Sequence, residues 1–274
     1  MDWTKGYSSR WRVERIDPRT WGPCGELGGV ESAEVERDIS DAAPLLETAS
    51  MTVTSPALQA FEPGWHRIVM EARQGTASAS VALATVWLEA ESGTYDKGYR
   101  EDKLAGRSAL WQASEAIVGD GAYAPRGIDG AQWAADALSR CIDAPVDVVG
   151  GGFELKSHIV FDLGSSVLKA AWQVLRPNGW CIRLDGRGEV HIAELPSVPA
   201  LALDRAGSCT LMPQTSWSAS GMAYTREWAP GVTVGDVVRG AVPERGLDGL
   251  YRITSQKLAC DKGVSVQETV EAIA

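Results

Sequence analysis

The 274-residue sequence predicts an α+β, mainly β chain. Residues 1–118 read as a β-barrel or sandwich, 119–196 as an α+β middle, and 197–274 as β-structure again. Three observations carry this reading. Apolar residues recur with period two in both flanks and with helical period chiefly between them. Glycine and proline cut the flanks into short strands at regular spacing. The stretch DLGSSVLKAAWQVLRPNGWCIRLDGRGEVHIAE, residues 162–194, encodes a helix, a tight turn and a hairpin.

Taken in order, Trp11 and Val13 share one face of a first strand, and Val30, Ser32 and Glu34 alternate with Ala33 and Val35 in the next. Ala49, Met51 and Val53 mark a third strand. His66, Ile68 and Met70 line one face of a fourth over Trp65–Glu71, and the apolar run Val81–Glu89 is a fifth. Turns are expected at Pro18, Gly22-Pro23, Gly28-Gly29, Pro63-Gly64 and Gly75. A polar strand-like stretch near Tyr95–Lys103 and a short helix within Ser108–Val118 close the first flank.

In the middle, Asp129 caps a helix whose apolar stripe is Trp133, Ala134, Ala137, Leu138, Cys141 and Ile142. Val146–Val149 and Phe153–Phe161 read as extended pieces around Gly150-Gly151-Gly152. Ser165 or Ser166 then caps a helix burying Val167, Leu168, Ala171, Trp172 and Leu175. Pro177-Asn178-Gly179 stops it, because proline cannot continue a helix and Asn-Gly readily takes positive φ. Two strands joined at Asp185-Gly186-Arg187-Gly188 complete the unit. Past Pro196 and Pro199, strands are expected at Cys209–Met212, Gly221–Trp228, Val232–Arg239, Leu250–Leu258 and Val264–Ile273.

Composition narrows the function. The net charge of −10 disfavours a nucleic-acid clamp, which needs a basic stripe. The five cysteines Cys24, Cys141, Cys181, Cys209 and Cys260 are scattered and never spaced as CxxC. That pattern fits reduced thiols in a protein made in a cytoplasm, and argues against a zinc ribbon or disulfide scaffold. No apolar run reaches a membrane span, and the first residues lack the apolar core of a secretory signal. Eleven tryptophans against three phenylalanines suggest buried interfaces or sugar binding.

No catalytic, cofactor-binding or metal-binding residues are expected. His66, His158 and His191 are too far apart in sequence for a local motif such as HExxH. Glu89 and Glu91 share a strand face and imitate a glycosidase pair, but solvated charges explain them better. The glycine clusters Gly119-Asp120-Gly121 and Gly150-Gly151-Gly152 lack any phosphate-loop pattern. Ser165 and Ser166 lack the GxSxG elbow and read as helix caps.

The run Gly127–Leu195, with its acidic-capped helix, "GSSVL", "NGW" and "DGRGEV", resembles the middle domain of phage tail baseplate-hub proteins. That family includes the N-terminal hub region of tail-associated proteins and the central hub of contractile phages. WRVERIDPRTW resembles the family's opening strand. VWLEAESGTYDKGYREDKLAGRSALWQ resembles its strand-strand-short-helix passage, and the segment from Pro230 onward resembles its last barrel.

The resemblance implies two β-barrel tube domains, 1–118 and 197–274, flanking an α+β middle domain, 119–196. It implies a homotrimer whose six barrels form a pseudo-sixfold baseplate hub ring at the tail tip of a virion. Such a ring joins the tail tube and distal tail proteins to a threefold spike or fibre protein, and passes DNA through its lumen without specific binding. Ring contacts are expected on Val30–Asp38, Val81–Glu89, Val232–Arg239 and Leu250–Leu258, with 1–118 of one subunit meeting 197–274 of the next. The sequence stops at Ala274, so a lysin or receptor-binding extension is expected on separate gene products. The alternative reading is a carbohydrate-binding β-module or receptor-binding tail protein that uses Trp3, Trp11, Trp21, Trp65, Trp217 and Trp228.

Overall fold

The structure, a computed structural model, describes residues 1, 3, 7–39, 44–55, 61–96, 98–203, 216–217, 221–242 and 247–273. The first flank holds β1 (Ser8–Ile16), β2 (Pro23–Leu27), β3 (Val30–Asp38), β4 (Leu46–Ser55), β5 (Gly64–Gln74), β6 (Ala77–Asp96) and β7 (Tyr99–Arg107). The short helix α1 (Leu110–Glu115) follows. The middle contains β8 (Tyr123–Ala124), α2 (Gly130–Ser139), β9 (Val146–Val149), β10 (Ile159–Val160), α3 (Val167–Leu175), β11 (Trp180–Leu184) and β12 (Val190–Glu194). The last flank contributes β13 (Pro199–Leu203), β14 (Ser216–Trp217), β15 (Gly221–Glu227), β16 (Val237–Val242), β17 (Leu247–Cys260) and β18 (Val264–Ala272). Mainly β flanks around a helical middle are therefore observed, and neither flank carries a long helix among the described residues. The strand expected at Cys209–Met212 lies outside them.

Both flanks contribute to one 13-stranded sheet, ordered β14-β15-β18-β17-β3-β4-β7-β6-β5-β1-β2, with β16 and β13 branching from β17. Strand β17 makes this possible because it is 14 residues long. On one edge it pairs with β18 from Tyr251 to Cys260. On the other, residues 247–252 pair with β16 and residues 255–260 with β3. The strand thus serves two sheet regions at once. The β17–β18 turn then returns towards β1, where the Trp11 indole Nε1 donates to the Asp261 carbonyl at 2.8 Å. No ladder between β1 and β18 closes the curl among the described residues, so the barrels expected from the sequence are not seen as closed cylinders.

This topology corrects the expected ring contacts. Strands β3, β16 and β17 each have a partner on both sides within one chain, so along those pairings they are not free edges. Strand β6 differs: Val81–Val86 pair with β5 alone, and only Trp87 and Leu88 pair with both β5 and β7. Among the described residues the terminal strands of the sheet order are β2, β13 and β14.

Several local expectations also shift. The polar stretch near Tyr95–Lys103 is the tip of the β6–β7 hairpin, not one strand; Gly98 turns there at φ +90°. Strand β2 occupies residues read as a turn plus loop, because its exposed side chains show no alternation. Strand β16 begins five residues later than expected, since Thr233 N–H donates to Asp236 Oδ2 at 2.8 Å and winds that segment into a turn. Of Phe153–Phe161, only β10 and an isolated bridge from Glu154 to Asp129 are extended pairings.

Both helices start at caps that the sequence predicts, but α2 ends at Ser139, so Cys141 and Ile142 lie beyond it, and its buried face adds Ala131 and Ala135 to Ala134 and Leu138. Asp129 accepts from the Ala131 and Gln132 N–H groups at the start of α2, and Ser166 accepts from Lys169 N–H at the start of α3. Both helices pack on the three-stranded sheet β11-β12-β9, in which β12 and β9 run parallel. The largest apolar cluster runs through all three segments: Trp65 from the first flank, Leu138 and Leu175 from the helices, and Ile253 from the last. A second cluster fills the curl of β1–β7 and is capped by Trp228 and Val266.

Where β3, β4, β17, β18 and β15 adjoin, the interior is polar. Arg226 donates to Glu268 through Nε at 2.9 Å and Nη2 at 2.6 Å, and the Tyr224 hydroxyl donates to the same carboxylate at 2.7 Å. Gln256 Nε2 donates to Glu268 Oε1 at 2.8 Å, and its Oε1 accepts from Arg37 at 3.1 Å. Arg37 also pairs with Glu47 and donates to the Leu83 carbonyl at 2.5 Å. All these side chains are buried. Removing one partner leaves another charge desolvated and uncompensated. Glu268→Ala is therefore expected to cost about 3–5 kcal/mol, read as a lowered urea midpoint with the folded protein still mainly β by circular dichroism.

Candidate functional site

The Asp185–Glu189 turn is the point at which the middle segment meets the first flank. Asp185 Oδ1 accepts from the Glu189 N–H at 2.9 Å and closes the turn. Gly188 adopts φ +75°. Gly186 lies so near β6 that a Cβ there would sit 1.9 Å from the Ala82 carbonyl oxygen. The turn is then tied down from several sides. Trp21 Nε1 and Arg67 Nη2 donate to the Arg187 carbonyl at 2.8 and 3.0 Å, and Thr85 donates to the Gly186 carbonyl at 3.1 Å. Beside it lies a cavity of 330 Å³, bordered by Arg37, Leu83, Asp185, His191 and Trp228.

The structure separates the three histidines, as their spacing suggests. His66 is buried; its Nδ1 lies 2.8 Å from the Gly64 carbonyl, and its Nε2 has no partner among the described residues. His158 is exposed and accepts from the Arg126 N–H at 3.2 Å. His191 sits on β12 opposite Asp147 of β9, with Nδ1 2.5 Å from Asp147 Oδ1. Asp185, Glu189 and His191 each present one ligand-type atom, all within 4.8 Å of one another. No such cluster is expected from the sequence, because its signal is Asp-x3-Glu-x-His across a hairpin rather than the helical HExxH spacing.

The other candidates resolve into structural roles. Glu89 and Glu91 are both exposed, and a bulge between Ala90 and Ser92 breaks the alternation expected to align them. Glu89 instead lies 3.9 Å from Arg107. Gly152 makes room for the Asp129 cap, since a Cβ there would strike its carboxylate at 2.0 Å. The four described cysteines are free thiols, and burial pushes Cys260 up to about 12. Cys209 lies outside the described residues. None of the ten tryptophans whose side chains are described is exposed; Trp21, Trp65 and Trp87 stack edge to face, with centroids 5.2 and 5.7 Å apart. No helix among the described residues is long and apolar enough to cross a membrane.

Burial lowers the His66 pKa from its ordinary value of 6.5, and nearby Arg15 adds to this against the hydrogen bond to Gly64. The unfolded chain takes up a proton below that value which the folded chain resists. Stability from this group is present above about pH 6.5 and is lost as pH falls through the lower folded value. Urea midpoints at pH 7.5 and 5.5 should therefore diverge more in the native protein than in His66→Asn, whose amide keeps the Gly64 bond without titrating. Equal divergence in the two proteins contradicts the assignment.

No protein-family model matches this sequence, and no curated protein matches it. Its similarity lies in three-dimensional structure. A tail protein from Neisseria meningitidis is 14% identical and superposes with a TM-score of 0.66, over 97% of both chains. The 43 kDa tail protein of prophage MuSo2 from Shewanella oneidensis gives 14%, 0.67 and the same coverage. An Escherichia coli type VI secretion component, described as structurally similar to the T4 phage tail proteins gp27 and gp5, gives 9% and 0.54, over 89% of this chain and 74% of that one. From the first flank to the last, the chain has the fold of phage tail proteins.

Proposed function

We propose that this protein is a structural subunit of a phage tail tip, a baseplate hub rather than an enzyme. The observation that carries the reading is the end-to-end superposition on tail proteins, over 97% of this chain and of each neighbour. Its architecture supports the same reading. Two β-rich flanks, 1–118 and 197–274, share β17 and are braced by the middle segment 119–196. Each flank acts as one tube domain, so three copies supply six positions in a pseudo-sixfold ring. A ring of that kind matches a sixfold tail tube on one face and a threefold spike or fibre on the other. Neighbouring subunits meet through the outer edges of β2, β13 and β14, whose unpaired backbone groups a closed ring would cover. The net charge of −10 suits a lumen that passes DNA without holding it. The assembly belongs to the virion tail, made in the host cytoplasm.

The carbohydrate-binding alternative requires aromatic rings open to solvent, and the enclosure of the described tryptophans favours the hub instead. Native mass spectrometry of the purified protein tests the proposal. The expected species is three times the 29.3 kDa protomer. A monomer at micromolar concentration, or six copies, overturns it.

A further inference from the structure

We propose that the β11–β12 hairpin carries a binding site for a divalent transition-metal ion of the zinc type. Its ligands are Asp185, Glu189 and His191, with Asp147 as the positioning residue behind the histidine. The turn places Asp185 and Glu189 at its two ends, held together by the Asp185 N–H to Glu189 carbonyl bond at 3.2 Å. His191 follows Glu189 by two residues on β12, so alternation returns it to the same side of the strand. The three donor atoms thus converge within 4.8 Å of one another. Coordination at the usual zinc distances of about 2.0–2.2 Å requires only that they draw slightly inward.

Two features distinguish this group from an ordinary charged turn. Asp185 spends Oδ1 on the Glu189 N–H, which leaves Oδ2 directed to the His191 Nε2 side at 3.9 Å. His191 Nδ1 meets Asp147 at 2.5 Å, and the two residues are register partners on parallel strands. A carboxylate on Nδ1 fixes the tautomer with its proton there and turns the Nε2 lone pair outward, the arrangement that orients metal-bound histidines. Two neighbouring cations are committed elsewhere. Arg183 is committed to Asp236 at 2.7 Å. Arg67 donates to Thr85 and to the Trp21 and Arg187 carbonyls rather than to either carboxylate. Imidazole nitrogen with two carboxylate oxygens is a donor set suited to zinc, and three protein ligands leave the fourth position to water. The ion would staple the turn to β12, at the rim of the cavity where the three segments of the chain meet.

The test is titration of ZnCl2 into chelator-treated protein without an affinity tag, by calorimetry, with Co2+ absorption as a second probe of coordination. One equivalent per chain is expected, and Co2+ should show the visible bands of a four-coordinate site. His191→Ala should weaken zinc binding at least 100-fold, and Glu189→Gln at least 10-fold. Asp147→Ala, which touches no metal, should weaken it roughly 10–100-fold while leaving the 1:1 stoichiometry intact. Circular dichroism of each variant without metal establishes that it is folded. Absence of saturable 1:1 binding overturns the proposal. So does full affinity in both His191→Ala and Glu189→Gln, which would place the ion on other surface carboxylates.

Discussion

The buried chain of hydrogen bonds from Glu47 through Arg37, Gln256 and Glu268 to Arg226 is the interaction on which the rest of the fold depends. It crosses the seam at which the two β-rich flanks become one sheet. Alternation already forbids a one-residue slip of β3 along β17, which would turn Ala33 and Val35 out of the interior, but apolar packing alone resists a two-residue slip less strongly. The matched donors and acceptors resist that slip too, because it would leave an arginine or a glutamate buried without its partner. The network selects the register and makes the two flanks mechanically one body. It also has a cost: burial pushes the Glu47 carboxyl up against the pull of Arg37, and one of its oxygens has no partner among the described residues.

The middle segment is locked to that body by a different device, close backbone approach. The hairpin turn enters a slot against β6 that only Gly186 can occupy, and three side chains clamp the carbonyls of Gly186 and Arg187. Trp21, at φ +55°, is the sole non-glycine residue with positive φ among those described. Its strained backbone, at about 1–3 kcal/mol, is offset by a buried indole that donates to the hairpin. A strained tryptophan, two glycines and the shared apolar cluster together set where the middle segment sits.

The same joint carries the chemistry that most resembles a site. A tight turn whose backbone bonds hold two carboxylates together, beside a histidine oriented by a neighbouring strand, is organised for a cation. The fold around it is shared with tail proteins from Neisseria and Shewanella prophage at 14% identity.

Much of this was legible in the sequence, and the reason is locality. The Asp129 and Ser166 caps, the Pro177–Gly179 stop and the Asp185–Gly188 turn each depend on residues a few positions apart, so their physics is complete within a short window. The alternation of Val30–Asp38 and the apolar run Val81–Glu89 likewise marked strands before any partner was known. What tertiary structure decided is everything that depends on partners. Strand β2 carries no alternation, because it is an edge on an exposed surface. Strand β17 serves two neighbours on a single side, which no periodicity encodes. Asp147 joins His191 only because parallel pairing brings together positions 44 residues apart. Arg37 and Gln256, 219 residues apart, carry no local signal of burial, yet they form the interior of the seam. Local chemistry dictated the elements of this protein; long-range pairing, which alone makes burial of those polar groups affordable, dictated its sheet and its site.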